Sequence, residues 1–182
     1  NQGQTSDGSV EAAKAIVAMA HDAGKTGQVT IGAAFGCPFE GEVSEQRVVD
    51  MVLALAEAGP VEIGLADTIG VGNPAHVASL IGKVRAAAPQ VPIRVHFHNT
   101  RGTGLANVWS AVLSGATIVD AAIGGLGGCP FAPGAAGNVS TEDVVYMLER
   151  AGIDTGLDLS QLVSANHWLS DVMQRPLPGM VA

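Results

Sequence analysis

Short apolar runs alternate along this chain with stretches in which apolar residues recur at helical spacing. Each run ends at glycine or at polar residues, and the runs occupy residues 29–35, 61–67, 93–98 and 117–123. After the first run, Val48, Val52 and Leu55 lie at helical spacing within residues 44–58. A strand followed by a helix, repeated in this way, indicates βα units with a parallel sheet.

The ends of the predicted helices carry their own signals. Asn73 followed by Pro74 predicts a helix start, because asparagine caps free backbone amides and proline fits the first turn. This helix should end near Ala88. Residues 140–143, with the sequence STED, have the form of a second helix start leading to Arg150. The other predicted helices cover residues 10–23, 103–114 and 159–174.

Four βα units are half of the eight that close a (β/α)8 barrel. A closed barrel has no sheet edge, whereas four parallel strands alone expose two edges. The chain therefore forms either a small open sheet or part of a barrel whose other half is missing. Because the sequence begins at Asn1 within a polar, loop-like segment, we expect a longer protein.

Composition and charge exclude several classes of protein. Aromatic residues make up only 4% of the chain, while small and β-branched residues are abundant, which suits buried parallel strands. The net charge of −8 and the scattered cations argue against a nucleic-acid partner. No segment has the apolar length of a membrane span, so we expect no membrane partner.

The two cysteines, Cys37 and Cys129, each lie in a Gly-Cys-Pro-Phe tetrapeptide. A disulfide framework normally has more cysteines at closer spacing, which favours free thiols in a reducing compartment. We expect a cytoplasmic protein, with the interior of an organelle as the alternative.

The glycine-rich segment at residues 124–138 is the best candidate for chemistry. It reads GGLGGCPFAPGAAGN and places Cys129 and Asn138 in a loop with six glycines. Glycine permits positive φ and a close approach of the backbone to a ligand. The segment lacks the Gly-Lys-Ser/Thr ending of a phosphate-binding loop, which argues against nucleotide hydrolysis.

His96 and His98 stand two residues apart at the end of the third predicted strand. Residues at this spacing share one face of a strand, so both imidazoles should point the same way while Phe97 faces the helices. Such a pair suits a metal ion. The alternative is a pair of hydrogen-bonded polar residues at a strand end, and the His-x-His pattern favours the metal.

Four further polar side chains have less specific patterns. Asp67 closes the second predicted strand and suits either catalysis or a cap on the following turn. Asp120 lies within the fourth strand and suits a structural hydrogen bond. His76 and His167 lie on helical patterns without a partner, so we expect them to be solvated or satisfied in the core.

Taken together, the motifs closely resemble those of the 3-hydroxy-3-methylglutaryl-CoA lyase family over essentially the whole chain. The matching segments are GCPFEG (36–41), DTIGVG (67–72), HFH (96–98), LAN (105–107), GLGGCP (125–130), GN (137–138) and TEDVVYML (141–148). The resemblance implies an α/β protein with a (β/α)8 TIM-type barrel. Residues 1–182 would then be one domain, carrying strands five to eight of that barrel.

The resemblance also implies a reaction and its cofactor. Lyases of this family cleave a 3-hydroxyacyl-CoA that bears a distal carboxylate into acetyl-CoA and a keto acid. A divalent cation, Mg²⁺ or Mn²⁺, would be held here by His96, His98 and Asn138, and by an aspartate on the missing first strand. A hard cation with open positions could chelate the substrate hydroxyl and carboxylate. The expected partners are an acyl-CoA substrate and a second copy of the protein in a homodimer.

Further roles follow residue by residue from the same resemblance. Cys129 matches a catalytic thiol that acts as a general acid or base. Asp67 matches an aspartate that positions the substrate or assists proton transfer. Arg101, Gly127 and Gly128 are the expected substrate-binding positions.

The chain also departs from the family pattern. The family commonly reads His-x-His-Asp-Thr-Tyr-Gly, whereas Asn99 and Arg101 replace the aspartate and the tyrosine here. The arginine that polarises the thioester belongs to the missing first strand. Two alternatives stay open beside the lyase, namely a related acyl-CoA condensing synthase and an inactive half-barrel.

Overall fold

The computed structural model describes residues 3–128 and 137–182, which form a first helix, four βα units and a last helix. The strands are β1 (Val29–Ile31), β2 (Ile63–Asp67), β3 (Ile93–Phe97) and β4 (Ile118–Asp120). The helices are α1 (Ser6–Asp22), α2 (Glu45–Ala56), α3 (Pro74–Ala87), α4 (Gly104–Leu113), α5 (Thr141–Arg150) and α6 (Leu159–Met173). A short 3-10 turn at Ile123–Gly125 begins the glycine-rich segment.

The four strands form one parallel sheet in the order β1-β2-β3-β4. Leu65, Val95 and Phe97 are completely buried on the side where the sheet packs against the helices. On the opposite face, Gly64 pairs with Arg94, and His96 pairs with Asp120. Among the described residues, each outer strand has a neighbour on one side only. The parallel βα arrangement predicted from the sequence is confirmed.

Helix starts follow the predicted caps. The Asn73 side chain accepts hydrogen bonds from the amides of Ala75 and His76, both at 3.1 Å, and Pro74 is the first residue of α3. Ser140 caps α5 by accepting a bond of 3.3 Å from the Asp143 amide. Each cap satisfies a donor that the helix itself leaves free.

The strands are shorter than predicted, and the first and fourth predictions exceed the observed strands most. The chain turns after Ile31, where the Gly32 carbonyl accepts from the Thr68 hydroxyl and the Ala34 amide donates to the Ala66 carbonyl. Apolar residues beyond this point, such as Phe35, enter the core from a loop.

The two histidines predicted on helical patterns, His76 and His167, have different surroundings in the structure. His76 is satisfied, which is one of the two expected outcomes: its ring lies 5.3 Å from that of Phe35 between centroids, in a T-shaped arrangement, and its Nε2 lies 3.7 Å from Glu45. These contacts join residues far apart in sequence, so the helical pattern could not reveal them. His167 is exposed on α6, as expected.

Within residues 3–128 and 137–182, every helix is too short or too polar to cross a bilayer.

Candidate active site

The histidine pair lies at the carboxyl end of β3. The imidazole rings of His96 and His98 stand 5.2 Å apart between centroids, with an angle of 67° between their planes. Phe97 points the other way into the core, where its ring packs 5.5 Å from that of Phe35. The shared face that strand alternation predicted for the two histidines is confirmed.

Asn138 is brought beside this pair by backbone pairing. His98 and Asn138 form an isolated antiparallel bridge. The flanking bonds run from the Val139 amide to the Phe97 carbonyl at 3.1 Å and from the Asn99 amide to the Gly137 carbonyl at 3.0 Å. Residues 137–139 therefore dock onto the end of β3, and the amide of Asn138 joins the histidines at one site.

Two polar atoms of this site are buried without a hydrogen bond. They are His98 Nδ1 and Asn138 Oδ1, two of three such side-chain atoms among the described residues. The other end of the Asn138 amide is occupied, because its Nδ2 donates to the Leu126 carbonyl at 2.7 Å. That bond leaves Oδ1 as the free acceptor. Buried polar atoms are nearly always satisfied, so two unsatisfied atoms on residues joined by a backbone bridge indicate a place where a ligand binds.

The donor set fits a divalent cation. Imidazole nitrogen and amide oxygen are both metal ligands, and a cation would satisfy the two orphaned atoms together. In the described part of the chain, His, Cys, Asp and Glu side chains form no group of three that could hold a metal. A site built on the two histidines would therefore draw on the amide oxygen of Asn138.

The Asp67 carboxylate accepts hydrogen bonds from backbone amides of the loop that follows β2. Its carboxylate is completely buried and accepts from the amides of Val71 at 2.9 Å and Gly72 at 2.8 Å. The Gly72 carbonyl in turn accepts from the side chain of Asn107 at 3.0 Å. This geometry supports the capping interpretation of Asp67, and its catalytic role stays a prediction.

Asn99 and Arg101, which depart from the family pattern, both bind backbone. The Asn99 side chain accepts from the Gly104 amide at 3.0 Å, at the start of α4. Nη1 of Arg101 donates to the carbonyls of Ile69 at 2.7 Å and Gly70 at 3.1 Å. Arg101 therefore holds the loop after β2 from one side while Asp67 holds it from the other. Substrate binding by Arg101 stays a prediction.

The start of the glycine-rich loop packs directly on Asn138. Gly127 has a φ of +115°, and a Cβ at this position would meet Nδ2 of Asn138 at 2.4 Å. Its carbonyl accepts from the Gly137 amide at 2.8 Å, which closes the base of the loop. Gly128 is the last residue described before the gap, and Cys129 lies outside the described residues.

Glu142 is a site residue that the sequence did not single out. Its carboxylate is completely buried, accepting from the Gly124 amide at 3.0 Å and from Nδ2 of Asn166 at 2.5 Å. It thereby anchors the 3-10 turn that leads into the glycine-rich loop. A glutamate in the first turn of a helix ordinarily satisfies a helix start, so its position gave no separate signal.

Burial shifts the pKa of both histidines. Desolvation is the main cause that lowers the pKa of His96 and of His98 below the ordinary value of about 6.5, since burial disfavours the charged imidazolium. The neutral imidazole, which is the form that ligates metals, is therefore favoured at neutral pH.

These shifts make stability depend on pH. Below about pH 6.5 the unfolded imidazoles bind protons that the folded ones exclude, so the free energy of unfolding should fall as the pH drops from 6.5 towards the folded pKa values. Urea unfolding of the metal-free full-length protein between pH 7.5 and 5.5 measures this slope. The double variant H96Q/H98Q should show a flatter slope, and an unchanged slope would contradict the assignment.

Comparisons with known proteins find related sequences and structures. A family model described as HMGL-like matches residues 1–169. The chain is 48% identical over 158 residues to a (R)-citramalyl-CoA lyase of Chloroflexus aurantiacus, covering 87% of this chain and 50% of that protein. It is 45% identical over 159 residues to a hydroxymethylglutaryl-CoA lyase of Bacillus subtilis, covering 87% of this chain and 53% of that protein. The crystal structure of an HMG-CoA lyase from Bacillus subtilis matches with a TM-score of 0.89 and 41% identity, covering 98% of this chain and 60% of that chain.

The chain spans about half the length of the curated relatives it matches. Its four parallel βα units correspond to part of a (β/α)8 barrel, which confirms the predicted fold class. Other relatives include hydroxymethylglutaryl-CoA lyases named as mitochondrial and as cytoplasmic, so these names do not choose between the two predicted compartments.

Proposed function

This chain belongs to the HMGL-like family, and from that premise we propose that the protein containing it is a carbon–carbon lyase acting on an acyl-CoA. The substrate is 3-hydroxy-3-methylglutaryl-CoA or a close 3-hydroxyacyl-CoA, and the products are acetyl-CoA and acetoacetate or another keto acid. Residues 1–182 are the C-terminal half of the barrel and form one domain with the half that precedes them. We propose a cytoplasmic homodimer.

One observation carries this proposal. His98 Nδ1 and Asn138 Oδ1 are buried, adjacent along a backbone bridge and without hydrogen bonds, at the carboxyl end of a strand. Active sites of barrel enzymes gather at that end of the strands. A purely structural role for the two residues would leave both atoms unsatisfied at a cost of about 1–3 kcal/mol each.

His96, His98 and Asn138 would hold Mg²⁺ or Mn²⁺, together with a carboxylate from the other half of the barrel. When bound, the cation would lower the pKa of a substrate hydroxyl and orient the neighbouring carboxylate. Burial lowers the pKa of both histidines, which favours the neutral imidazole that binds a cation.

The remaining residues position the substrate and move protons. Cys129 donates a proton to the carbon that leaves as the acetyl-CoA enolate, and the proton released by the substrate hydroxyl restores the thiol, so no net proton is gained or lost. Gly127 and Gly128 let the loop backbone approach the substrate closely. Asp67 and Arg101 fix the loop after β2 at the mouth of the barrel, where Arg101 also meets the acyl-CoA.

Replacing Cys129 with serine tests the proposal. The full-length protein with Mg²⁺ should release acetyl-CoA from 3-hydroxy-3-methylglutaryl-CoA, and C129S should lower kcat by about 10²- to 10⁴-fold, the range for one general acid or base. Mn²⁺ affinity should not change, because the thiol is not a ligand. A thioester assay for acetyl-CoA together with Mn²⁺ titration measures both.

The chain supplies a matched control in its second Gly-Cys-Pro-Phe tetrapeptide. Cys37 lies in a tight turn, in which its amide and carbonyl exchange hydrogen bonds with Gly41. C37S should keep kcat within about twofold. Equal losses in both variants would contradict a specific role for Cys129, and a wild-type protein that binds no Mn²⁺ would favour the inactive half-barrel.

A second substrate has support of its own, because a relative at 48% identity is named (R)-citramalyl-CoA lyase. Assays of both thioesters under the same conditions rank the two by kcat/KM. Incubation of acetyl-CoA with a keto acid tests the condensing alternative, for which net formation of the longer acyl-CoA is the required result.

A further inference from the structure

A charged side chain on β3 lies on the same face of the sheet as the histidine pair. Arg94 precedes His96 by two residues on β3, so both lie on the same face, and Arg94 is only 8% exposed. Its partner on β2 is Gly64, where a Cβ would come within 2.9 Å of the guanidinium. The missing side chain of Gly64 leaves the space that the guanidinium occupies.

Arg94 is held by three other side chains. Its Nε donates to Glu62 at 2.7 Å and its Nη2 donates to Thr30 at 2.7 Å. Its Nη1 donates to Oδ2 of Asp120. A buried guanidinium needs such partners, and the two carboxylates balance its charge.

Asp120 differs from Glu62 in one respect, because it also reaches a histidine. The register pairs His96 with Asp120, and the same Oδ2 atom lies 3.7 Å from His96 Nδ1. This distance exceeds a hydrogen bond but is short enough for a direct electrostatic interaction. One carboxylate oxygen therefore stands between a fixed guanidinium and an imidazole nitrogen.

The position of the Asp120 oxygen bears on which nitrogen of His96 can bind a metal ion. A neutral imidazole carries its proton on one nitrogen and presents a lone pair on the other, and the group facing the protonated nitrogen fixes this choice. A carboxylate near Nδ1 favours a proton there and frees Nε2. The situation at His98 is opposite, because its Nδ1 is the buried atom without a hydrogen bond.

We propose that Asp120, fixed by Arg94, is a positioning residue that holds the proton of His96 on Nδ1 and presents Nε2 to the cation. The inference rests on the proposed function, since it takes His96 as a ligand. It assigns different nitrogens to the two histidines, Nε2 of His96 and Nδ1 of His98.

Asp120→Asn is the informative variant. It keeps the size of the side chain, and Arg94 keeps Glu62 as a partner. Because Arg94 donates to the amide oxygen, that oxygen takes the place of Oδ2 facing His96, but it carries no negative charge and attracts a proton to Nδ1 much less. We expect Mn²⁺ affinity of the full-length protein to fall about 10- to 100-fold, the usual effect of losing a group that orients a ligand.

Glu62→Gln is the matched control, because Glu62 contacts Arg94 but has no contact with His96 among the described residues. It should lower Tm as D120N does and keep Mn²⁺ affinity within about threefold. Electron paramagnetic resonance of free Mn²⁺ gives the affinities. Equal affinity losses in the two variants, or wild-type affinity in D120N, would overturn the proposal and assign Asp120 to stability alone.

A second measurement needs neither the metal nor a folded D120N variant. Long-range ¹H–¹⁵N spectra of the metal-free wild-type protein above pH 7, with His96 assigned by its loss in H96Q, show which nitrogen carries the proton. Protonated Nδ1 supports the proposal, and protonated Nε2 overturns it even if D120N does not fold. A wild-type protein that binds no Mn²⁺ would instead defeat the proposed function, while this spectrum still tests Asp120.

Discussion

Replacement of His98 by alanine should abolish turnover and lower Mn²⁺ affinity by about 10³-fold or more. His98 is 4% exposed, and its Nδ1 is one of the two orphaned atoms of the site. Loss of a ligand forfeits several kcal/mol of charge stabilisation, and each 1.36 kcal/mol is a factor of ten in rate. Isothermal titration with Mn²⁺ and the acetyl-CoA assay measure the two effects on full-length protein.

The same variant distinguishes a metal-binding role of His98 from a purely structural role. If His98 only filled the core, alanine would lower Tm and leave the Mn²⁺ affinity of the folded protein intact, and the metal proposal would fail. The control is His167→Ala on the exposed face of α6, which should change neither quantity. Supplying excess Mn²⁺ should not restore turnover to H98A at concentrations that saturate the wild type.

The parts of this fold that local patterns determine could be predicted from the sequence. Alternation along β3 placed His96 and His98 on one face, and Asn73 and Ser140 cap the helices that their positions indicated. Each of these features depends on residues within one turn or one strand. Because each of these interactions joins residues that are close together in the sequence, the residue pattern alone indicates it.

Features that join distant segments could not be predicted in the same way. Arg94 is a single cation in an apolar run, and its partners Glu62 and Asp120 come from other strands. The sequence allowed two interpretations of Asp67, and the amides of the loop after β2 that donate to its carboxylate support the capping one. The capping role depends on how that loop folds back, which no spacing of residue types specifies.

Asn138 lies between these two cases. The resemblance to a known family assigned it to the metal, although 40 positions separate it from His98 in the sequence. The backbone bridge between the two residues explains how that separation closes. The orientation of the Asn138 side-chain amide depends on its hydrogen bond to the Leu126 carbonyl and on the lack of a side chain at Gly127.

The second large effect is expected at Gly127. Alanine there would place Cβ 2.4 Å from Nδ2 of Asn138, and a φ of +115° is one that residues with a Cβ rarely adopt. Either the amide rotates or the loop shifts, and in both cases Asn138 Oδ1 leaves the histidines. A displacement of about 1 Å can lower turnover about 10²-fold, so we expect kcat of G127A to fall by that amount with weaker Mn²⁺ binding.

Gly82→Ala is the control for this prediction, because Gly82 lies exposed within α3 and a Cβ there meets nothing within 4 Å. It should stabilise the protein by about 0.5–1 kcal/mol, since alanine is the better helix residue, and leave kcat unchanged. The double variant G127A/N138A discriminates further. If Gly127 acts by orienting the Asn138 amide, adding G127A to N138A should lower kcat little further. Additive losses of kcat would show that Gly127 acts on the conformation of the loop instead.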